Sequence, residues 1–266
     1  MTDAAKVLSD LLGTDVTISE HLSGGDVAEV IAIDTPRGPR VAKSSALPGV
    51  EARMLQAIAA AGCPAAQVVA TSDKWLVMDR LPQGFPTKAG WAEAGHAISD
   101  LHATVGPHFG WKEDFAIGPA PQPAIVSDDW PAFWAEHRLL AWPETLPADI
   151  AQRLERLAAR LPDLLPRQPR AGLLHGDLWH GNLVFDGGFK GLIDPACYYG
   201  DAEVDLAALT TFSMPPAEFF AAYGPCPEGW EQRRPIYRLW IAILHLRLFG
   251  ESYRGMVERC LQAAGA

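Results

Sequence analysis

Between residues 16 and 43 apolar and polar positions alternate loosely around two turn signals, Ser23-Gly24-Gly25 and Pro36-Arg37-Gly38-Pro39. Alternation of period two places successive side chains on opposite faces of a strand, so this stretch predicts three short antiparallel strands. The period then changes. Over residues 48–61 the apolar positions Val50, Met54, Leu55 and Ile58 recur at helical spacing, and Pro48 suits a first turn, where its missing N–H would have had no partner. Gly62 and Pro64 end that helix, and strands are predicted at 67–71 and 74–79 about the polar turn Ser72-Asp73. Five strands and one helix make a small α+β unit. The rest reads as mostly helical: helices at 90–104, 128–140 and 147–161, the second opened by Ser127 as N-cap, with a loop rich in Pro, Gly and aromatic residues over 106–123. Short strands around a loop return at 173–194, and helices punctuated by Pro215-Pro216 and Gly224-Pro225 follow from 202 onward. The expectation is a bilobal α+β chain, with an antiparallel-sheet lobe over 1–81 and a larger, mainly helical lobe over 82–266.

Composition narrows the choice of partner. The chain has 266 residues, 48% hydrophobic and 20% charged, enough for a sizeable core. With 22 Lys and Arg against 32 Asp and Glu its formal net charge is -10, and no basic run occurs, which argues against nucleic acid or an anionic membrane as the main partner. Global charge says nothing about a nucleotide, which local N–H groups, one Lys and Mg²⁺ hold. Residues 1–13 form a short amphipathic start with no apolar core for a signal peptide, and the most apolar helix, near 237–249, carries Arg238, His245 and Arg247. Cys63, Cys197, Cys226 and Cys260 form no C-x-x-C pair, so neither zinc nor a disulfide framework is indicated. A soluble protein in the reducing cytoplasm is expected.

The chemistry concentrates in His175-Gly176-Asp177-Leu178-Trp179-His180-Gly181-Asn182, followed by Leu192-Ile193-Asp194-Pro195-Ala196. Phosphoryl transfer needs a carboxylate that orients the attacking hydroxyl and hard oxygen ligands that hold Mg²⁺ against the phosphates, and an Asn five residues after that Asp is the kinase catalytic-loop spacing. Asp177 and Asn182 have it. Asp194, at the end of a short apolar strand, completes the metal site. Zinc is not indicated for His175 and His180, because no third ligand stands at a suitable spacing; His175 is expected to brace the loop through a backbone hydrogen bond. In the first lobe, Gly24 and Gly25 lie between two strands, where they either fold over the nucleotide phosphates or form a plain hairpin turn. Lys43, closing the third strand, resembles the strand lysine that holds phosphates in kinases, and Glu51 on the next helix is placed to pair with it. Met78, Asp79 and Leu81 end the fifth strand, where an inter-lobe hinge would offer backbone groups to adenine.

These motifs together resemble the fructosamine kinase family, within the aminoglycoside phosphotransferase and choline kinase group of the protein-kinase-like fold. The similarity runs from about Leu22 to the last helices. It is most specific in residues 175–182, in Asp194-Pro195-Ala196-Cys197-Tyr198-Tyr199-Gly200 and Glu203-Val204-Asp205-Leu206-Ala207, and in an aromatic insert: Phe109-Gly110-Trp111, Asp114 to Gly118, Pro121-Gln122, Asp129-Trp130, Phe133 and Arg138-Leu139. The chain departs from the family at Phe115, where Asn is usual, at Ala120, where Thr is usual, and at Asp201-Ala202, where a His-Arg pair is usual. The resemblance implies ATP-dependent phosphorylation of a sugar hydroxyl of a ketosamine. In that reading Asp177 is the base, Asn182 and Asp194 bind Mg²⁺, and Lys43 holds phosphates. Trp179, Tyr198 and Glu203, in the matching segments, are candidates for the acceptor pocket. A kinase for an aminoglycoside or choline-like amine, and a nucleotide-binding pseudokinase, are the alternative readings; retention of Lys43, Asp177, Asn182 and Asp194 argues against the second.

Overall fold

In the computed structural model, residues 3–22 and 28–266 are described; Gly24 and Gly25, the predicted phosphate-covering glycines, lie outside them. The amphipathic start is a helix, α1 (Asp3–Leu12). Strands β1 (Thr17–His21), β2 (Val30–Thr35) and β3 (Gly38–Ser44), helix α2 (Pro48–Ala60), and strands β4 (Val68–Thr71) and β5 (Trp75–Asp79) follow, as the periodicity predicts. The sheet is antiparallel in the order β1-β2-β3-β5-β4. Alternation assigns its two faces. Ile31, Ile33, Ala42, Trp75 and Val77 pack with Leu8 of α1, whereas Leu76 and Met78 turn the other way onto Ala52 and Leu55 of α2. Each large apolar side chain so buried contributes about 1.5–3 kcal/mol.

The second face is closed by residues from far along the chain. Ile193 joins its apolar cluster, and the segment after α2 is stitched to the 192 region by Ala66 N–H to the Leu192 carbonyl (3.1 Å) and Leu192 N–H to the Pro64 carbonyl (2.9 Å).

Helix α3 (Lys88–Ala103) begins two residues before its predicted start, because Thr87 caps it by accepting from Gly90 N–H at 3.1 Å. The predicted loop at 106–123 contains structure: β6 (Phe109–Trp111), β7 (Phe115–Ile117), β8 (Ala120–Gln122) and, just beyond it, β9 (Ile125–Ser127). Three-residue strands are too short to show a period. Helix α4 (Trp130–Trp134) runs on into a wider π turn at Ala135–Leu139, and its N-cap is Asp129 rather than Ser127. Asp129 accepts from Ala132 N–H at 2.9 Å; Ser127 instead accepts from Asp129 N–H and shapes the preceding turn. The predicted helix at 147–161 is α5 (Ala148–Ala158), with Pro162 opening a separate short α6 (Leu161–Leu164).

Strands β10 (Gly172–Leu174), β11 (Leu183–Asp186), β12 (Gly188–Leu192) and β13 (Tyr198–Gly200) precede four helices: α7 (Glu203–Phe212), α8 (Ala217–Tyr223), α9 (Trp230–Phe249) and α10 (Arg254–Ala263). A four-stranded sheet, β10-β13-β6-β9, ties the aromatic insert to the segment that follows Asp194, and β11 and β12 form a hairpin. Helix α9 buries Ile236, Tyr237, Leu239, Trp240 and Ile243 in the core of this half. Among the described residues no helix is long and apolar enough to cross a membrane. All four cysteines are free thiols, and the described residues hold no group of three or more His, Cys, Asp or Glu able to hold a metal.

Candidate active site

The β11–β12 hairpin pairs Leu183 with Leu192, so the residues just outside it, Asn182 on one side and Ile193-Asp194 on the other, emerge together. Ile193 is held from both directions: its N–H donates to the Asn182 carbonyl (3.1 Å) and its carbonyl accepts from His175 Nε2 (2.9 Å). With the ring proton on Nε2, His175 Nδ1 is free to accept from Asp177 N–H at 3.3 Å. The predicted brace is present. Ala196 N–H returns to the His175 carbonyl at 2.8 Å, which brings the two loops so close that Gly176, at φ +82°, has no room for a side chain: a Cβ there would lie 2.0 Å from the Ala196 carbonyl oxygen.

Asp194 is the only non-glycine residue with positive φ (54°) among those described. Asp tolerates that conformation better than most residues. One of its oxygens, Oδ1, is 2.8 Å from Lys43 Nζ, and the same ammonium lies 2.7 Å from Glu51 Oε1. The predicted Lys43–Glu51 pair thus exists and extends to Asp194. Burial alone would lower the Lys43 pKa, but the Asp194 and Glu51 carboxylates outweigh it and hold the ammonium protonated above its usual range. Glu51, 1% exposed, is pushed up by burial against the opposing pull of Lys43.

Asp177 is half-buried, and burial pushes its carboxyl above the ordinary range despite His175 and the Asn182 hydrogen bond. Asn182 turns its amide nitrogen to Asp177, 2.7 Å from the carbonyl and 3.1 Å from Oδ2. Its amide oxygen is left for another partner. That oxygen and the carboxylate of Asp194, emerging side by side from one hairpin, are the hard donors Mg²⁺ takes, so the residues fit the ion.

The ends of the sheet supply apolar walls. Val41, Leu81 and Ile193 belong to one cluster with Met78, bringing together the sheet, the residues that follow β5 and the segment that leads to Asp194. Asp79 is less free than expected: its N–H donates to the Gln67 carbonyl (2.9 Å) and its carboxylate pairs with Arg40 (3.3 Å). Of the acceptor candidates, Trp179 is 41% exposed and lies over Gly181, two residues along the chain from Asp177. Tyr198 is buried beside Arg138, and Glu203, also buried, is engaged at both oxygens by Arg233. Neither is brought to the surface that Trp179 shares.

Sequence reading assigned no role to Asp205, yet it organises the loop. Fully buried at the start of α7, it accepts from His175 N–H (2.7 Å), Gly176 N–H (3.0 Å) and His102 Nε2 (3.1 Å), while His102 Nδ1 meets the Tyr223 hydroxyl at 2.8 Å.

Comparison with known proteins gives the chain's family and fold. A protein-family model described as fructosamine kinase matches residues 1–264. A probable ketoamine kinase of Lactiplantibacillus plantarum is 32% identical, with 96% of each chain covered. Another from Synechocystis is 36% identical over 71% of this chain and 66% of its own length. A crystal structure from Thermobifida fusca, of a protein whose name assigns it to the fructosamine-3-kinases, superposes with a TM-score of 0.89 at 29% identity, covering 99% of both chains. The aminoglycoside phosphotransferase APH(4)-Ia, solved with ADP and hygromycin B, shares the fold at a TM-score of 0.72 and 16% identity, with 100% of both chains covered.

Proposed function

The chain belongs to the fructosamine kinase family and is a phosphotransferase, and on that premise we propose that it transfers the γ-phosphoryl group of Mg²⁺-ATP to a sugar hydroxyl of a ketosamine. The observation that carries this reading is the Lys43 ammonium shared between Glu51 and Asp194, at 2.7 and 2.8 Å, beside an Asp177 held by Asn182. Lys43, anchored by Glu51, binds the phosphates; Asn182 and Asp194 hold the Mg²⁺, which when bound neutralises charge on the transferring group. Asp177 Oδ1 has no hydrogen-bond partner among the described residues and accepts the proton of the attacking hydroxyl. Burial raises its pKa, which suits it to accept that proton. Val41, Leu81, Met78 and Ile193 receive adenine, with the nucleotide lobe at 1–81 and the acceptor on the 82–266 side. Trp179 offers its exposed ring to the acceptor. Four free thiols suit a cytoplasmic setting, where ATP is available.

The test is an acceptor screen with purified protein and Mg²⁺-ATP, following ADP release and the phosphorylated product. Turnover is expected on fructosamine- or ribulosamine-bearing amines. Turnover on an aminoglycoside or choline-like alcohol with none on any ketosamine would replace the acceptor assignment. Tight ATP binding without transfer to any acceptor would replace the kinase by a sensor.

A further inference from the structure

Beneath α2 lies a cavity of about 30 Å³ that opens to solvent. Seven buried side-chain nitrogen or oxygen atoms have no hydrogen-bond partner among the described residues, and five of them belong to residues lining this one space: Trp111 Nε1, Gln122 Nε2, Arg138 Nε, Tyr198 Oη and Trp240 Nε1. Buried polar atoms are ordinarily paired, so five around one cavity mark a place built to meet something. Four are N–H donors, and the tyrosine hydroxyl can donate as well. The partner they call for is rich in acceptor oxygens.

Arg138 sets its charge. The side chain is 7% exposed and brings a guanidinium into the wall of the cavity. The rings of Phe133, Tyr198 and Trp240 surround the guanidinium, with centroids 4.9, 4.2 and 4.8 Å from its carbon, and its one hydrogen bond among the described residues runs from Nη1 to the His137 carbonyl. No described carboxylate pairs with it. Cation–π contacts offset part of the lost hydration but leave the charge formally unbalanced. Four other titratable side chains line the space, and burial pushes two of them, the Cys197 thiol and the Tyr198 hydroxyl, upward so that they stay neutral. Glu113 is committed to Arg53 at 2.6 Å, and burial holds the His137 imidazole below its usual range, so it adds no positive charge near neutrality. One positive charge is left, which suits a monoanion.

We propose that this cavity binds a small monocarboxylate, an organic acid of a few carbon atoms, that acts as an effector of the nucleotide site through α2. The carboxylate balances Arg138, and its two oxygens accept from the surrounding N–H groups. The route to the nucleotide is short. Met54, which lines the cavity, stands three residues after Glu51 on the same side of α2, and Arg53 straps the helix to Glu113 at the mouth. Filling the cavity fixes α2 and so holds Glu51 against Lys43. Gly176 and Ala196, from the two loops that carry Asp177 and Asp194, line the opposite wall. Binding of the carboxylate does not depend on the identity of the phosphoryl acceptor.

The experiment is calorimetric titration of the full chain, without acceptor, using sodium acetate, lactate and pyruvate, with chloride and phosphate at matched ionic strength as controls. At least one carboxylate is expected to bind one to one, and Mg²⁺-ATP affinity in its presence to rise about fivefold or more, the lower end of usual couplings. Arg138→Met should abolish carboxylate binding. Gln122→Leu, which keeps the volume and removes one donor, should weaken it about tenfold and decides the matter if the Arg138 variant does not fold. No carboxylate binding up to about 50 mM, weaker than any useful effector, overturns the site. So does binding that both variants leave unchanged, and binding with no effect on nucleotide affinity overturns the coupling to α2. Inactivity on every ketosamine would leave each of these results standing, so the two readings fail separately.

Discussion

Asp205→Asn tests whether the catalytic loop is suspended from α7. The substitution keeps the shape of a fully buried side chain but removes its charge and replaces one acceptor oxygen by an NH₂ group facing donors. Three donors now converge on Asp205: the N–H groups of His175 and Gly176 at 2.7 and 3.0 Å, and His102 Nε2 at 3.1 Å. A hydrogen bond to a charged group contributes about 1.5–3 kcal/mol, and an unpaired buried N–H costs about 1–3 kcal/mol. Losing one charge-assisted bond and orphaning one N–H should therefore destabilise the chain by roughly 2.5–6 kcal/mol, within reach of its total stability. At about 2–4 °C per kcal/mol for a chain of this length, the melting temperature should fall roughly 5–24 °C. The backbone of His175 and Gly176 leads directly to Asp177, and a displacement of about 1 Å there is expected to cost on the order of a hundredfold in turnover. Differential scanning calorimetry and steady-state rates below the new melting point give the two numbers. A variant that melts within about 2 °C of the parent and turns over normally would show that α7 does not carry the loop.

Other substitutions separate the roles within the site. Asp177→Asn should lower turnover at least about a hundredfold while leaving Mg²⁺-ATP affinity nearly unchanged, as nucleotide titration and single-turnover rates would show; near-normal transfer would mean the base is elsewhere. The same variant has a second signature in stability. Burial raises the Asp177 pKa above its ordinary 3.8, so the folded state holds that proton more tightly than the unfolded chain, and stability falls as pH rises from 3.8 through the raised folded value. Asp177→Asn, which cannot ionise, should therefore gain stability relative to the parent as pH rises through that window and keep the gain at neutral pH; melting curves across pH that stay parallel would refute it. Asp194→Asn should weaken both Mg²⁺-ATP binding and turnover, with partial rescue by excess Mg²⁺, since it removes a charge from the proposed metal site and the Lys43 bridge together. Mg²⁺-ATP at about 100 times its Kd should stabilise the parent by about 2.7 kcal/mol, and Lys43→Met should lose most of that thermal shift at the same concentration.

The elements that the sequence made legible are those with enough length or rigid enough spacing to leave a pattern. Runs of four to seven residues between turn signals marked the strands of the first sheet, and the fixed interval between Asp177 and Asn182, followed by a strand-end Asp194, marked the two loops that the structure brings together. The insert was hidden because each of its strands is three residues long, and its cap moved from Ser127 to Asp129 because both residue types cap well and only the turn geometry chooses between them. Asp205 was unreadable for a different reason. An acidic residue in a first helical turn is usually explained by the helix dipole, and nothing local reveals that its oxygens face backbone N–H groups thirty residues upstream. Arg138 belongs to the aromatic insert in sequence, and only the fold closes three rings around it.

The closing of the first sheet by Ile193 and Leu192 has a consequence during synthesis. As the chain leaves the ribosome, the face formed by Leu76, Met78, Ala52 and Leu55 can be complete as soon as residue 79 has emerged, but the segment that covers its edge lies more than a hundred residues behind. At about 5–20 residues per second this leaves a nascent apolar edge waiting roughly ten seconds for its partner. The α1 face of the same sheet has no such delay, since every member of its cluster precedes residue 78. One side of the sheet is thus finished locally and early, and the other, which we propose receives adenine, stays unfinished until the loop bearing Asp194 arrives. The nascent chain is most in need of a chaperone at the surface that later becomes its proposed nucleotide site.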